Sequence, residues 1–366
     1  MSKKNICILL GGKSAEHNIS LRSARSLIAE IDREKFQVYL VGITRTGEWI
    51  YRSDNDLLLE GDIPNQPRLN TEGIRVCFPP QCEGRLHGLD APLPEDITFD
   101  CVFPMLHGPL GEDGAIQGVL KVADVPFVGP DVLGAAVGMD KDVMKSLLTN
   151  AGIPIGPYRT YRVDQKLPSF DEMEEILGMP VYVKPANMGS SVGISKVDEA
   201  SQWAPALEEA FKYDNKIVVE ANIIGKELEC AVLGNSDPVA STVGEVAKAA
   251  EFYDYEHKYL LESKEEAIIP ASIGEKAIDQ VRDIAVKSYK ALQCEGLGRV
   301  DVFYTVDGRI LVNEINTIPG FTSISMYPKL WRKSGLSTPD LISRLIDLAI
   351  ERHLRQGEIL HALDNI

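Results

Sequence analysis

The sequence has few cysteines and no long apolar run, and both absences narrow the class of protein. Six cysteines are scattered over 366 residues without a CxxC pair, which predicts free thiols in a reducing compartment. The first apolar run covers only residues 6–10, which is too short for a signal peptide. No run reaches the roughly 18 apolar residues that a transmembrane helix needs. We therefore expect a cytoplasmic protein that does not enter a membrane.

Positive charge is also scarce. The chain has 38 Lys and Arg residues against 54 Asp and Glu residues, which gives a net charge of −16. Nucleic acids and anionic membranes attract proteins with a broad positive potential, so we expect neither as a partner. A nucleotide substrate stays compatible with this charge, because a few local cations are enough to hold a triphosphate.

Several common catalytic motifs are missing. None of the six histidines has the spacing of zinc ligands, and no GxSxG nucleophile elbow is present. The glycine pair at residues 11–12 does not extend to GxGxxG, and no GKS/T follows a glycine-rich loop. A zinc enzyme, a serine hydrolase and a Walker-type nucleotide-binding protein are therefore not expected.

The hydrophobic pattern predicts an N-terminal α/β domain. Strand-like segments at residues 6–10, 38–43 and 101–103 alternate with a helical pattern at 20–31, which favours a largely parallel sheet. We expect the Gly- and Pro-rich residues 52–94 to leave the core. Later segments predict these elements: helices at 131–150, 278–292 and 339–354, strands at 181–184, 194–197 and 217–220, and a hairpin at 299–315.

The hairpin is the most informative segment. A two-residue Asp-Gly turn at residues 307–308 is a strong hairpin signal, and it would place Asp301 opposite Glu314 and Arg299 opposite Asn316. All four side chains would then project from one face of the hairpin. Opposed carboxylates destabilise a ladder unless a divalent cation lies between them, with the Asn316 oxygen as a further ligand. The residues also fit an exposed acidic pair that Arg299 relieves.

Three loops carry further candidate residues. Residues 184–193 read Lys-Pro-x-x-x-Gly-Ser-Ser-x-Gly, a composition that lets backbone N–H groups approach a phosphate, although a Gly-Ser turn is often only a hairpin loop. Glu16 and His107 follow strands of the predicted parallel sheet, where ligands gather in such folds. Each also fits a turn or a helix cap.

The order of these motifs resembles the D-alanine–D-alanine ligase family of the ATP-grasp superfamily. The resemblance covers nearly the whole chain and rests on these blocks: Gly-Gly-Lys-Ser-Ala-Glu-His at 11–17, His-Gly-x-x-Gly-Glu-Asp-Gly at 107–114, Met-Asp-Lys at 139–141, the loop at 184–193, Phe-Tyr-Asp-Tyr-x-x-Lys-Tyr at 252–259, Gly-Arg-Val-Asp at 298–301 and Asn-Glu-Ile-Asn-Thr-x-Pro-Gly at 313–320. It implies a mixed α/β ATP-grasp fold after an N-terminal parallel-sheet α/β domain. The implied domains are 1–130, 131–220 and 221–366, the last with a lid loop and a metal hairpin.

The resemblance also implies an activity and its cofactors. Family members join two D-alanines through a D-alanyl phosphate, releasing ADP and phosphate, for peptidoglycan precursor synthesis. Two Mg²⁺ ions, which Mn²⁺ can replace, are implied at Asp301, Glu314 and Asn316. The ATP-binding residues that it implies are Lys141, Lys184 and Lys258 at the phosphates and Glu220 and Glu227 at the adenine and ribose.

The resemblance assigns substrate contacts too. Arg299 and the Gly320 N–H would stabilise the oxyanion of the tetrahedral intermediate. Glu16 would hold the ammonium group of the first D-alanine, His107 would lie near it, and Ser190 would hydrogen-bond Glu16.

The remaining contacts lie later in the chain. Tyr259 would join the Ser190–Glu16 set from a lid at residues 251–266, and Ser325 with Met326 would receive the second carboxylate. Met326 stands where relatives commonly have leucine. Family members are commonly homodimers. Two alternatives stay open: an ATP-grasp carboxylate–amine or D-alanine–D-lactate ligase with different substrates, and a non-catalytic ATP-binding sensor.

Overall fold

The computed structural model of the protein describes residues 2–61, 67–94, 96–246 and 267–359. Its N-terminal part contains β1 (Lys4–Gly11), α1 (His17–Glu30), β2 (Phe36–Ile43), β3 (Trp49–Tyr51), β4 (Leu58–Leu59), β5 (Arg68–Leu69), β6 (Ile74–Cys77), β7 (His87–Gly88), β8 (Cys101–Met105) and α2 (Ala115–Val122). Six of these strands form a sheet in the order β7-β6-β3-β2-β1-β8. The strand β1 pairs parallel to β2 and β8, so the centre of the sheet is parallel as predicted.

The antiparallel edge of this sheet corrects one expectation. Residues 52–94 do not simply leave the core, because β6 pairs with β3, and β7 pairs with β6. Strands of two to four residues separated by Gly, Pro and Asp show too few alternations for the hydrophobic pattern to reveal them.

The middle of the chain forms a second sheet. Its elements are α3 (Val132–Met139), α4 (Lys141–Asn150), β9 (Tyr158–Arg162), α5 (Phe170–Leu177), β10 (Val181–Pro185), β11 (Ser195–Val197), α6 (Ala200–Phe211) and β12 (Lys216–Ala221). The four strands are antiparallel in the order β11-β10-β12-β9. A single helix over residues 131–150 is wrong. Asp140 is extended and its side chain accepts the N–H groups of Asp142 and Val143, so it ends one helix and caps the next.

The C-terminal part forms a third sheet. Its elements are β13 (Gly225–Gly234), β14 (Val239–Glu245), α7 (Glu275–Ala291), β15 (Gly296–Thr305), β16 (Ile310–Asn316), α8 (Met326–Lys333) and α9 (Thr338–Gly357). The strand order is β14-β13-β15-β16, and each pair is antiparallel. Residues 222–224 separate the second sheet from the third. The domain limits given above stay a prediction.

The last helix packs against the first domain. Leu341 and Leu345 of α9 share one buried cluster with Ile6 and Ile8 of β1, and each such side chain contributes roughly 1.5–3 kcal/mol when it is fully buried. Arg352, further along α9, donates to the Phe127 and Gly129 carbonyls. Its guanidinium also lies 4.4 Å from the Phe127 ring centroid. The first and last parts of the chain therefore share a core.

In the described ranges no helix combines the length and the apolar composition that crossing a membrane requires.

Candidate functional site

The β15–β16 hairpin presents the predicted carboxylate pair. Asp301 lies opposite Glu314 and Arg299 lies opposite Asn316, which confirms the predicted pairing. The Asn316 Oδ1 atom is buried and has no hydrogen-bond partner in the described structure. Two carboxylates and an amide oxygen therefore come together on neighbouring strands. These are the oxygen ligands that hard divalent cations prefer.

The turn that closes this hairpin is not the predicted one. Thr305 donates its N–H to the Arg309 carbonyl at 2.9 Å, so the loop has three residues, 306–308, with Gly308 at φ +81°. A β-bulge after Val312 then makes Asn313 the extra residue and shifts the register back. The pairing at the carboxylates is correct because the bulge offsets the longer turn.

Arg299 is held by carboxylates on both sides. Its Nε and Nη2 atoms donate to the Asp301 carboxylate at 2.7 and 2.6 Å, and Nε lies 3.0 Å from Glu229 Oε2. Burial alone would lower the pKa of Arg299, but the charges of Asp301 and Glu229 raise it well above its usual range. Glu229 is the β13 partner of Asp301, and the sequence analysis missed it because a pairing between distant strands leaves no local signal.

A second charged cluster lies beside the hairpin. Glu220 on β12 accepts ion pairs from Lys184 at 2.5 Å and from Lys145 at 3.1 Å. Burial would raise the pKa of Glu220, but the two lysines lower it to about 2. Lys141 donates to the Met188 carbonyl at 2.7 Å, and its Nζ lies 3.6 Å from the Glu314 carboxylate. Of the two predicted phosphate lysines, Lys184 therefore belongs to the Glu220 cluster and Lys141 lies beside Glu314 of the hairpin.

Lys145 was not among the predicted site residues. It lies one helical turn after Lys141 on α4, and its side chain is only 2% exposed. The i, i+4 spacing of the two lysines was the available signal. Glu227, which was predicted to contact the nucleotide, is exposed on β13. Lys258 lies outside the described residues.

The loop between β10 and β11 has an unusual backbone. These strands pair antiparallel, so the loop is a hairpin connection, and Ser190 and Ser191 have φ values of +49° and +60°. Two successive non-glycine residues in the left-handed region are strained, and such strain concentrates at ligand-binding sites. Exposed backbone N–H groups in loops of this kind can bind anions.

Glu16 joins this loop to the first domain. The Ser190 hydroxyl donates to Glu16 Oε1. The same carboxylate lies against two glycines. A Cβ added to Gly108 would lie 2.4 Å from Glu16 Oε2, and a Cβ added to Gly189 would lie 3.1 Å from the same atom. Glu16 occupies the N-cap position of α1, but its side chain makes no capping hydrogen bond. Tyr259, the third member of the predicted set, lies outside the described residues, as does the whole segment 251–266.

His107 connects the first domain to the loop after β16. Its Nδ1 lies 3.1 Å from the Ile318 carbonyl and its Nε2 lies 3.1 Å from Ser23 Oγ. Burial lowers the pKa of His107 to about 4, so the ring is neutral at pH 7. Glu112, which the sequence analysis did not select, accepts the N–H groups of Gly108 at 2.6 Å and Ile318 at 3.3 Å. Burial raises the pKa of Glu112, and the neighbouring Glu16 adds to the rise.

The loop after β16 ends beside α8. Ser325 precedes α8, and its Oγ lies 2.8 Å from the Thr322 hydroxyl and accepts the Thr322 N–H. A Cβ at Gly320 would lie 3.0 Å from Ser325 Oγ, so these two positions are in contact. Met326 is the first residue of α8. Contacts between Glu16 and Ser190 and between His107 and Ile318 therefore connect the first domain to the loops of the second and third sheets.

Comparison with known proteins gives the same family along the chain. The family models described as "D-ala D-ala ligase N-terminus" and "D-ala D-ala ligase C-terminus" match residues 5–130 and 147–347. The D-alanine–D-alanine ligase of Oceanobacillus iheyensis is 47% identical over 358 residues, which are 98% of each chain.

Two solved structures are similar to the whole fold. The D-alanine–D-alanine ligase from Coxiella burnetii aligns with a TM-score of 0.83 and 34% identity, covering 98% of this chain and 97% of that one. The VanG D-Ala:D-Ser ligase from Enterococcus faecalis aligns with a TM-score of 0.81 and 36% identity, covering 95% of this chain and 100% of that one.

Proposed function

The chain belongs to the D-alanine–D-alanine ligase family of ATP-grasp enzymes, and from this premise we propose how the site described above performs the family reaction. The protein is an ATP-dependent ligase that joins two D-alanines to D-alanyl-D-alanine through a D-alanyl phosphate. It releases ADP and phosphate and supplies a peptidoglycan precursor. One observation supports the assignment of this reaction to particular residues: Arg299, the opposed carboxylates Asp301 and Glu314, and Lys141 lie in contact with one another.

The lysines and the strained loop form the phosphate end of the proposed ATP site. Lys141 and Lys184 supply two cations, and residues 184–193 supply backbone N–H groups. Glu220 and Glu227 would contact the adenine and ribose, and Lys258 would add a phosphate contact. Glu220 is held by Lys184 and Lys145, and these two cations favour its ionised form, which accepts hydrogen bonds.

Magnesium fits the oxygen set on the hairpin. Among the described residues, no group of three His, Cys, Asp or Glu side chains is arranged for a metal. The proposed set instead combines Asp301 and Glu314 with the buried Oδ1 of Asn316, which has no hydrogen-bond partner among the described residues. These residues would hold two Mg²⁺ ions, or Mn²⁺ in their place, whose charge would assist phosphoryl transfer.

The remaining residues hold the two D-alanines. The carboxylate of the first D-alanine attacks the γ-phosphate, and the amine of the second then attacks the acyl phosphate. Arg299, fixed by Asp301 and Glu229, would stabilise the resulting oxyanion together with the Gly320 N–H.

Binding of the substrates uses residues from all three sheets. Glu16, oriented by Ser190, would bind the first ammonium group. His107 would stay neutral and hold the loop at Ile318. Ser325 and Met326 would receive the carboxylate of the second D-alanine, and Tyr259 would complete the Ser190–Glu16 set.

A coupled ADP-release assay tests this function. ADP release should require D-alanine, and product analysis should find D-alanyl-D-alanine. D-Lactate and D-serine, offered as second substrates beside D-alanine, should give little mixed product. ADP release without D-alanine would contradict a ligase, and a dominant D-alanyl-D-lactate or D-alanyl-D-serine product would indicate a different second substrate.

A homodimer in the cytoplasm is proposed as the working form. Leu110, Val119 and Val122, in and just before α2, are 50%, 43% and 60% exposed, and an apolar surface of this kind is typical of an interface. Light scattering should give twice the chain mass, and Val122→Glu should give the monomer mass. The cytoplasm is supported by the ATP requirement and by six free cysteines.

A further inference from the structure

We propose that Lys145 is a positioning residue for this reaction. It holds the Glu220 carboxylate at the proposed nucleotide site (the nucleotide end) and the β16 bulge beside the proposed metal ligands (the metal end). The proposal rests on the nucleotide site assigned above, and it adds a residue that touches neither the substrate nor the proposed metal.

Three contacts surround the Lys145 ammonium group. Its Nζ lies 3.1 Å from Glu220 Oε1, donates to the Asn313 carbonyl at 3.2 Å and lies 5.7 Å from the centroid of the Tyr158 ring. Glu220 and Tyr158 belong to the second sheet, and Asn313 belongs to the third. A single buried cation on α4 therefore connects the two sheets between which the nucleotide would bind.

The contact to Asn313 bears on the metal end. Asn313 is the extra residue of the β-bulge, and this bulge places Glu314 opposite Asp301. A bulged residue leaves the regular ladder, so its backbone polar groups need partners from elsewhere. Lys145 supplies one of them. Loss of this donor should loosen the bulge and therefore the alignment of the two carboxylates.

The contact to Glu220 bears on the nucleotide end. Lys145 and Lys184 share this carboxylate, but only Lys184 lies beside the phosphate-binding loop in the sequence. If a phosphate draws Lys184 away, Lys145 is the cation that remains to hold Glu220 ionised and in place. Without Lys145, Glu220 would retain Lys184 and compete with the phosphate for it.

Lys145→Met in the full chain tests both contacts without relying on activity. ADP affinity is measured by calorimetry with a chelator present, so that divalent cations do not contribute. Loss of a hydrogen bond to a charged group typically costs a factor of about 10 to 100, and we expect ADP to bind that much more weakly. Hydrogen exchange over residues 310–316 should also become faster.

Lys145→Gln separates the two contacts and remains available if Lys145→Met does not fold. The amide can still donate to the Asn313 carbonyl but carries no charge for Glu220. Exchange over residues 310–316 should stay close to that of the wild type, while ADP affinity falls. In a Glu220→Gln background, Lys145→Met should change ADP affinity less than about threefold, because the shared partner is absent.

Arg352→Met is the matched control, since it also removes a buried cation that donates to backbone carbonyls, but at the first domain. It should lower stability and leave ADP affinity unchanged. ADP binding within twofold of wild type in Lys145→Met, or equal losses in Lys145→Met and Arg352→Met, would overturn the proposal. A wild-type chain that binds no ADP would overturn the nucleotide site itself and this role with it.

Discussion

Glu314 lies opposite Asp301 on the neighbouring strand, and the Lys141 ammonium group lies 3.6 Å from its carboxylate. Glu314→Gln keeps the shape of the side chain and removes its charge. We expect ADP formation to fall on the order of 100-fold, because the proposed metal loses an anionic ligand. The free energy of unfolding should change by about 1 kcal/mol or less, since a repulsion and an attraction are removed together.

The control for this prediction is Asp307→Asn, which removes a carboxylate from the exposed turn of the same hairpin. It should leave ADP formation unchanged. Full activity in Glu314→Gln, or a loss that follows unfolding in thermal melts, would contradict the metal assignment.

Arg299→Lys tests whether the fork of the guanidinium matters beyond its charge. A lysine cannot reproduce the two bonds to Asp301 together with the contact to Glu229. We expect dipeptide synthesis to fall on the order of 100-fold and ADP affinity to change less than about threefold, because the proposed role of Arg299 follows nucleotide binding. Wild-type dipeptide synthesis by the lysine variant would show that the positive charge alone is sufficient and that the guanidinium fork is not required.

Gly108→Ala tests the position of Glu16. The added Cβ would lie 2.4 Å from Glu16 Oε2, so the carboxylate must move and its bond to Ser190 must change. We expect the KM for the first D-alanine to rise about tenfold or more. Gly152→Ala is the matched control, because its φ of +71° is close to the +73° of Gly108 but a Cβ there meets nothing within 4 Å. Equal effects of the two substitutions on KM would show that backbone strain, not displacement of Glu16, is the cause.

The low pKa of His107 makes the free energy of unfolding depend on pH. Burial lowers its pKa to about 4, whereas an unfolded chain has a histidine pKa of about 6.5. Between these values the unfolded state binds more protons than the folded state. The contribution of His107 to the free energy of unfolding is therefore constant above about pH 6.5. It falls by about 3 kcal/mol as the pH is lowered towards 4.

Urea titrations from pH 4 to pH 7.5 measure this effect. His107→Gln should be less stable than the wild type at pH 7.5, because one of the two contacts is lost, but its stability should fall less steeply below pH 6.5. Parallel curves for the two proteins would mean that His107 is not the group responsible.

The sequence was informative where local pattern determines structure. The pairing of Asp301 with Glu314 was predicted from the Asp-Gly turn, although the three-residue loop and the bulge that produce this pairing were not. The three-residue loop and the bulge each shift the register by one residue, in opposite directions. A hairpin with both features pairs Asp301 with Glu314 just as a hairpin with neither does, and no local pattern tells the two apart. The break at Asp140 could have been read from its capping position before Asp142 and Val143.

The missed residues depend on tertiary contacts. Glu229, Lys145 and Glu112 are ordinary charged residues in their own segments. Each acquires its role from a partner far away in the sequence: Arg299 on β15 for Glu229, Glu220 in the second sheet for Lys145, and Ile318 for Glu112. The effect of burial on the pKa values of His107 and Glu220 has the same origin, since burial is a property of the folded chain.

The contact between Arg352 and the first domain has a consequence for biosynthesis. The N-terminal sheet emerges from the ribosome first, but α9, which covers Ile6 and Ile8 and supplies Arg352, emerges after more than two hundred further residues. Until then the first sheet exposes an apolar surface to the crowded cell. We therefore expect nascent chains that stall before α9 to bind chaperones more than chains that include it.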